Sequence, residues 1–195
     1  MFTSHLSDLG RQSLAALRIL AVFTVILGLG YPAAVWAAGR VVPDRADGQP
    51  VLVDGSIVGS ALIGQDFSGD EWFHSRPSAN DYDTLASGPS NLGPLSPDLA
   101  ALIVERRAAV AELEGVPGAD VPADALTSSA SGLDPHISPA YARLQAPRVA
   151  EVNGLSVDEV ETLVVESTEG RFLGFHGEPG VNVLLLNVAI QQARR

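Results

Sequence analysis

The 195-residue chain has no cysteine and no lysine, and all 12 of its basic side chains are arginines. The lack of cysteine excludes disulfide bonds, thiolate metal ligands and a cysteine nucleophile. Acidic side chains number 23, so the formal net charge is -11. Proteins that bind nucleic acids need a basic surface to neutralise phosphates. Here no basic cluster is larger than two adjacent arginines, which argues against nucleic-acid binding.

Charge is also missing near the N-terminus, where residues 19–39 contain no charged side chain. A helix of about 20 apolar residues crosses ~30 Å of hydrocarbon at about 1.5 Å per residue. We therefore predict a transmembrane helix over residues 19–39, with a short flank over residues 1–18 before it. A soluble domain over residues 40–195 follows.

The predicted membrane helix carries a face of small residues for close packing against a partner helix, namely Gly28, Gly30, Ala33 and Ala34. The alternative is a cleaved signal peptide, since Arg11 and Arg18 precede the apolar run. Two arginines also follow the run, so the positive-inside rule does not decide its orientation. From Arg40 onward, 10 basic and 22 acidic residues give a net charge of -12. An anionic cytoplasmic leaflet would repel this region, which favours an outward-facing domain.

Turn and capping signals predict a mixed α/β or α+β soluble domain. Asp54-Gly55 between short apolar runs predicts a hairpin with a type I′ turn, and we extend its second arm through residues 61–63. N-cap signals predict helices after Ser96, Ser138 and Ser156.

The remaining segments give weaker signals. Residues 65–97, rich in glycine, proline and serine, predict a long ordered loop or a partner-binding surface. Residues 116–131 predict a flexible connection, and residues 171–175 a short strand. Pro147 is expected to kink or interrupt the second helix. Residues 181–189 fit either a helix with a polar face or a buried strand.

Four sequence clusters stand out: residues 60–65 with 72–79, residues 87–94, residues 130–139, and residues 168–171 with 177–184. In this order, behind one apolar helix, they closely resemble the KdpC family, the C subunits of Kdp-type, ATP-driven potassium importers. The string Ser-Gly-Leu-Asp-Pro-His-Ile-Ser-Pro is the most specific part. The chain departs from the family at Pro89, where a second glycine is usual, and at Gly180, where arginine is usual.

The resemblance implies a bacterial cell-membrane complex with three partners: a channel-like potassium-binding subunit, a P-type ATPase subunit and a small single-span subunit. It implies that this chain is a non-catalytic accessory subunit that stabilises assembly and raises the ATP affinity of the catalytic subunit. The sequence agrees, because it has no Asp-Lys-Thr-Gly phosphorylation motif and no P-loop. One membrane span is also too little to enclose an ion path.

The resemblance also suggests a nucleotide-contacting role for Gln145, Ser87, Gly88, Ser90, Asn91 and Gly93. Backbone N–H groups of such a loop can cradle a phosphate, but the Gly-Lys-Ser/Thr ending of a P-loop is missing. We therefore expect no intrinsic cofactor, with ATP bound through the complex. A structural or interface role is expected for Gly132, Leu133, Asp134, Pro135, His136, Ser138, Arg148, Glu169, Arg171, Glu178 and Asn182.

Two other classes of function are open from the residues alone. An extracytoplasmic hydrolase would use Ser131 or Ser138 as nucleophile with His136 as base. Crowding around Pro135 is more typical of a rigid turn with local side-chain hydrogen bonds, so we predict no catalytic residue. The histidines lack a His-x-x-x-His spacing, so we predict no metal site among His74, Asp134, His136 and His176. A ligand-binding module is the third hypothesis.

Overall fold

The computed structural model describes residues 2–194, with side chains from Asp8 onward. The chain separates into two compact units, one ending at Gly48 and the other beginning at Gln49. Each unit is described by itself below.

The N-terminal unit is almost entirely helical. It consists of α1 (Phe2–Val25), a π-helical turn (Ile26–Gly30), α2 (Tyr31–Gly39) and the short α3 (Pro43–Ala46). Helix therefore begins well before residue 19, because residues 2–18 contain no proline and only one glycine to stop it. The stretch Asp8–Gly39 is long and apolar enough to cross a membrane, and its most apolar window has no buried residue.

The π-helical turn lies in the middle of this apolar stretch. The Tyr31 N–H donates to the Ile26 carbonyl, five residues back. Pro32 follows and has no N–H, so it cannot donate the α-helical hydrogen bond to the Gly28 carbonyl, four residues back. Gly28 and Gly30 both lie inside the widened turn.

The second unit opens with a hairpin of β1 (Pro50–Val53) and β2 (Ser56–Ser60). Asp54 and Gly55 have φ of 50° and 79°, as the predicted tight turn requires. The predicted extension through residues 61–63 was wrong. The Ser60 hydroxyl accepts from the Leu62 N–H, and its carbonyl accepts from the Ile63 N–H, which turns the chain away from the hairpin.

The α-helices that follow the hairpin are α4 (Pro97–Glu114), α5 (Pro139–Asn153), α6 (Val157–Glu166) and α7 (Val183–Ala193). The three predicted caps are confirmed, because Ser96, Ser138 and Ser156 each accept a first-turn N–H. Pro147 was expected to kink or interrupt α5, and the expected interruption was wrong. The helix continues to Asn153, and its buried residues lie on both sides of Pro147, so core packing offsets the lost backbone bond.

Three short strands form an antiparallel sheet in the order β3-β5-β4. They are β3 (His136–Ile137), β4 (Thr168–Glu169) and β5 (Gly180–Asn182). Helices packed with an antiparallel sheet make this an α+β domain. The expectation of a mixed helix-and-strand domain behind one apolar helix is confirmed.

The core gathers around α5. Its largest fully buried apolar side chains are Phe73, Ile137, Val149, Val160, Val164, Val181, Val183, Leu186 and Ile190. They come from the long loop, the sheet and three helices.

Three further sequence predictions need correction. Residues 116–131 are not a flexible connection, because they form two 3₁₀ turns and bury Val121, Ala125 and Leu126. Residues 171–175 are not a strand but part of an exposed turn. Residues 181–189 contain both alternatives, the end of β5 and the start of α7. Their two asparagines are buried, so the proposed polar face of the helix was wrong.

Candidate functional site

The Gly-Leu-Asp-Pro-His segment forms a rigid turn. Asp134 Oδ1 accepts from the His136 N–H at 3.0 Å, and Asp134 Oδ2 accepts from Arg76 Nη1 at 3.1 Å. Gly132 has φ 69°, and a Cβ there would collide with Asn80 Oδ1, so only glycine fits. One carboxylate therefore fixes both the turn and the loop around Arg76.

The same turn joins two distant parts of the unit through its backbone. The Leu133 carbonyl accepts from the Gly64 N–H at 2.8 Å, and the Pro135 carbonyl accepts from the Val183 N–H at 2.9 Å. The segment therefore connects the end of the hairpin region to the start of α7, which fits a structural role.

The serines of the hydrolase hypothesis are engaged elsewhere. The Ser138 hydroxyl donates to Asp124 Oδ1 at 2.9 Å and accepts from the Tyr141 N–H as the cap of α5. Ser131 Oγ accepts from the Leu133 N–H. In the described part of the chain neither hydroxyl bonds to His136, so no serine nucleophile is paired with its base.

The four candidate metal ligands do not converge. Among the residues that the structure describes, no group of three or more histidine, aspartate or glutamate side chains is placed to hold a metal ion. His74 Nε2 lies 3.0 Å from the Gly69 carbonyl, and His176 is exposed in the turn before β5.

His136 lies between two carboxylates. Its Nδ1 is 3.7 Å from Asp134 Oδ1, and its Nε2 is 3.7 Å from Glu169 Oε2 on β4. The interaction with Asp134, together with the charge of Glu169, raises the pKa of His136 despite its partial burial. Burial acts to raise the pKa of Asp134, but the interactions with His136 and Arg76 outweigh it and lower that pKa.

The stability of the second unit should therefore depend on pH on both sides of neutrality. The contribution of His136 is fully present below its ordinary pKa of 6.5 and is lost as pH rises through the raised folded-state pKa. The contribution of Asp134 to stability is fully present above its ordinary pKa of 3.8. It is lost as pH falls through the lowered folded-state pKa. Melting temperatures of the full chain in detergent between about pH 2 and about pH 9 would cover both losses.

A matched pair of variants isolates the histidine. His136→Asn should flatten the loss of stability on the alkaline side, whereas His176→Asn in the exposed turn should leave it unchanged. An unchanged alkaline profile in His136→Asn would contradict the assignment.

Gln145, the proposed nucleotide contact, is fully buried on α5. Its Oε1 accepts from the His74 N–H at 2.7 Å, and its Nε2 donates to the His74 carbonyl at 3.1 Å. Asn187 on α7 makes the same pair of bonds with the Phe73 backbone, at 2.8 and 3.0 Å. We call this arrangement, Gln145 and Asn187 with the Phe73-His74 backbone, the amide clamp.

An ion pair lies beside the amide clamp. Arg148 Nε lies 3.1 and 3.0 Å from the two carboxylate oxygens of Glu114 on α4. Arg148 Nη1 donates to the Trp72 carbonyl at 3.0 Å, and Nη2 donates to Gln145 Oε1 at 3.1 Å. The Glu114 side chain is only 1% exposed, so this pair connects two helices and the loop away from solvent.

The serine- and glycine-rich loop lies against the rigid turn. The Ser87 hydroxyl and the Gly88 N–H both donate to the Ser131 carbonyl at 2.9 Å. Ser90 Oγ accepts from the Leu92 N–H, and Asn91 has a left-handed φ of 56°. Across residues 8–194 no hydrogen bond joins this loop to Gln145, so the two candidate nucleotide contacts have separate partners.

The remaining motif residues lie around the sheet. Asn182 caps α7, and its Nδ2 donates to the Ala61 carbonyl at 2.8 Å. Arg171 pairs with Glu178 at 3.2 Å in the exposed turn between β4 and β5. Glu169 faces His136 as described above.

Several anchoring residues were not found from the sequence: Arg76, Glu114, Asp124 and Asn187. Asp124 pairs with Ser138, 14 positions away, and Glu114 pairs with Arg148, 34 positions away. Asn187 and its partner Phe73 are 114 positions apart in the chain. No local pattern signals such pairs. The one available signal was Asn187 inside an otherwise apolar run, which marks a buried amide in need of a partner.

Comparison with known families decides the relationship. The family model for KdpC, described as the c chain of the K+-transporting ATPase, matches residues 13–192. The chain belongs to the KdpC family.

Curated relatives agree over nearly the whole length. The potassium-transporting ATPase KdpC subunit of Kineococcus radiotolerans is 58% identical over 190 residues, covering 96% of this chain and 97% of that one. The subunit of Beijerinckia indica is 49% identical, covering 88% of each chain. That of Mycobacterium tuberculosis is 47% identical, covering 93% of this chain and 98% of its own.

The resemblance drawn from the four motif clusters is thereby confirmed. This KdpC-family chain is a subunit of a potassium-transporting ATPase complex and is not catalytic by itself. Membership of that complex implies association with a membrane.

Proposed function

We propose that this KdpC-family chain is a single-pass accessory subunit that stabilises its complex in the bacterial cell membrane. The partners would be a channel-like potassium-binding subunit, a P-type ATPase subunit and a small single-span subunit. The observation that carries this proposal is the apolar helix over Asp8–Gly39, whose most apolar window has no buried residue within the chain. Such a surface needs lipid or a partner helix to cover it.

The small residues of this helix give the first test. Gly30→Leu should reduce recovery of the partner subunits with an affinity-tagged chain, because the added side chain prevents close backbone approach. Gly10→Leu, in α1 and before the uncharged run, is the matched control and should leave recovery unchanged. Full recovery of the complex with Gly30→Leu would contradict close packing at this position.

The soluble domain is proposed to face outward, because its net charge of -12 disfavours an anionic cytoplasmic surface. An outward acidic domain would raise the local potassium concentration within about one Debye length, ~8 Å at physiological salt.

Labelling of single cysteines in intact cells tests this orientation, since the natural chain contains no thiol. Asp120→Cys lies at an exposed position and should react with a membrane-impermeant maleimide without permeabilisation. Arg11→Cys, before the apolar run, should react only after permeabilisation. The reverse pattern would place the domain inside.

ATP is proposed to bind through the complex rather than through this chain. An outward domain would not meet cytoplasmic ATP, and Gln145 already uses both ends of its amide inside the clamp. In this proposal the chain raises the ATP affinity of the catalytic subunit by stabilising the assembled complex.

A further inference from the structure

The turn between β4 and β5 presents three large apolar side chains to solvent. Phe172, Leu173 and Phe175 are 70%, 72% and 75% exposed. Large apolar side chains grouped at one place on a surface are typical of binding sites, whereas single exposed ones are not. None of the assigned structural roles uses these three residues.

This apolar turn is ordered by its own backbone. The Phe172 N–H donates to the His176 carbonyl at 2.9 Å, and the His176 N–H donates back to Phe172 at 3.0 Å. Leu173 has a left-handed φ of 54°, which is unusual for a residue other than glycine. The pairing therefore holds the turn in a conformation that directs the apolar residues away from the core.

The charges at the base of the turn distinguish between two kinds of partner. Glu169 and Glu178 have side chains that are 67% and 85% exposed, and Arg171 pairs with Glu178. Two carboxylates and one arginine leave the base with one net negative charge, the same sign as the charge of the domain as a whole. An anionic lipid surface would repel it. A protein pocket with an apolar floor and a basic rim would complement both the side chains and the charge.

We propose that the Phe172–Phe175 turn is a docking surface for another protein subunit of the same complex, inserting into an apolar pocket with arginine or lysine at its rim. This inference rests on the accessory role proposed above. Buried aromatic anchors surrounded by a polar rim are the usual centres of such interfaces.

A photo-crosslinking amino acid at position 172, in the complete complex within native membranes, tests the contact directly. Irradiation should join the chain to a protein subunit of the complex. The same amino acid at Val165, exposed on α6, is the matched control and should give at most one tenth as much of that product. Adducts with lipid alone, or no subunit adduct at position 172, would overturn the docking surface.

A double substitution measures the contribution of the turn. Phe172→Ser with Phe175→Ser should lower retention of the chain in the purified complex by about tenfold, as expected for the loss of an aromatic anchor. The melting temperature of the free chain should stay unchanged, because both side chains are exposed. Val157→Ser with Val165→Ser, two exposed positions on α6, is the control.

The outcomes separate this inference from the proposed function. Unchanged retention of the Phe172→Ser, Phe175→Ser chain would overturn the docking surface alone. Failure of the unaltered chain to co-purify with any membrane subunit would overturn the accessory role itself.

Discussion

Gln145→Ala is expected to lower the free energy of unfolding of this chain by about 2–5 kcal/mol, while leaving the intrinsic ATP site of the complex intact. Truncation removes both partners of the His74 backbone, and a buried polar group left unpaired costs about 1–3 kcal/mol. It also removes an acceptor of Arg148 Nη2. Urea unfolding of the full chain in detergent, followed by circular dichroism, measures the change.

Two comparisons make this result specific to the amide clamp. Gln192→Ala, at an exposed position near the end of α7, should change the unfolding free energy by less than about 0.5 kcal/mol. Asn187→Ala should lower the unfolding free energy by a similar amount to Gln145→Ala, because it leaves the Phe73 N–H and carbonyl without their hydrogen-bond partners. A stable Gln145→Ala chain whose assembled complex binds ATP more weakly would restore the nucleotide-contact hypothesis.

The clamp also explains why a long loop without helix or strand is part of the core. Residues 61–96 lie between β2 and α4, yet Phe73 is fully buried. A buried loop backbone needs hydrogen-bond partners, and here side-chain amides supply what a neighbouring strand would otherwise provide. The expectation of an ordered loop is confirmed, whereas its role as a partner-binding surface stays a prediction.

What the sequence predicted well depends on short-range geometry. Ser96, Ser138 and Ser156 cap their helices through N–H groups three residues ahead, so the signal and the contact lie within one turn. The turn bond of Asp134 spans only two residues and was likewise expected. Its bond to Arg76 spans 58 residues, and nothing in the local pattern indicates it.

The sequence-based errors have physical causes of the same kind. The Arg171–Phe175 segment has the aromatic and apolar composition of a strand, but the left-handed φ of Leu173 and Gly174 turns the chain back within four residues. Strand formation depends on a partner that the segment itself does not specify. Pro147 illustrates the converse, because burial on both sides keeps α5 helical despite a residue that lacks an N–H.

The candidate nucleotide residues show how far a family resemblance reaches. It identified Gln145 and the loop around Ser87 as notable, and both have definite hydrogen-bond partners in the structure. Which side chain pairs with which backbone depends on the packing of α5 and α7 against the loop. That packing follows from the whole core, so the motif alone could not assign the roles.

Arg148→Leu should be the most destabilising single change on α5, with an expected loss of about 3–5 kcal/mol in the free energy of unfolding. The substitution leaves the Glu114 carboxylate, only 1% exposed, without its counter-charge. It also removes the donor to the Trp72 carbonyl, which weakens the loop that the clamp holds. Chemical unfolding of the full chain in detergent gives the value.

Arg171→Leu is the matched control, because it breaks an arginine–glutamate pair at a similar distance but in solvent. Arg171 is 47% exposed and Glu178 is 85% exposed, so the loss should stay below about 1 kcal/mol. The double variant Glu114→Leu, Arg148→Leu should recover part of the stability lost by Arg148→Leu, since it removes the uncompensated buried charge. Equal losses for Arg148→Leu and Arg171→Leu would show that burial does not govern the pair. A double variant less stable than Arg148→Leu would show that Glu114 contributes mainly through packing rather than charge.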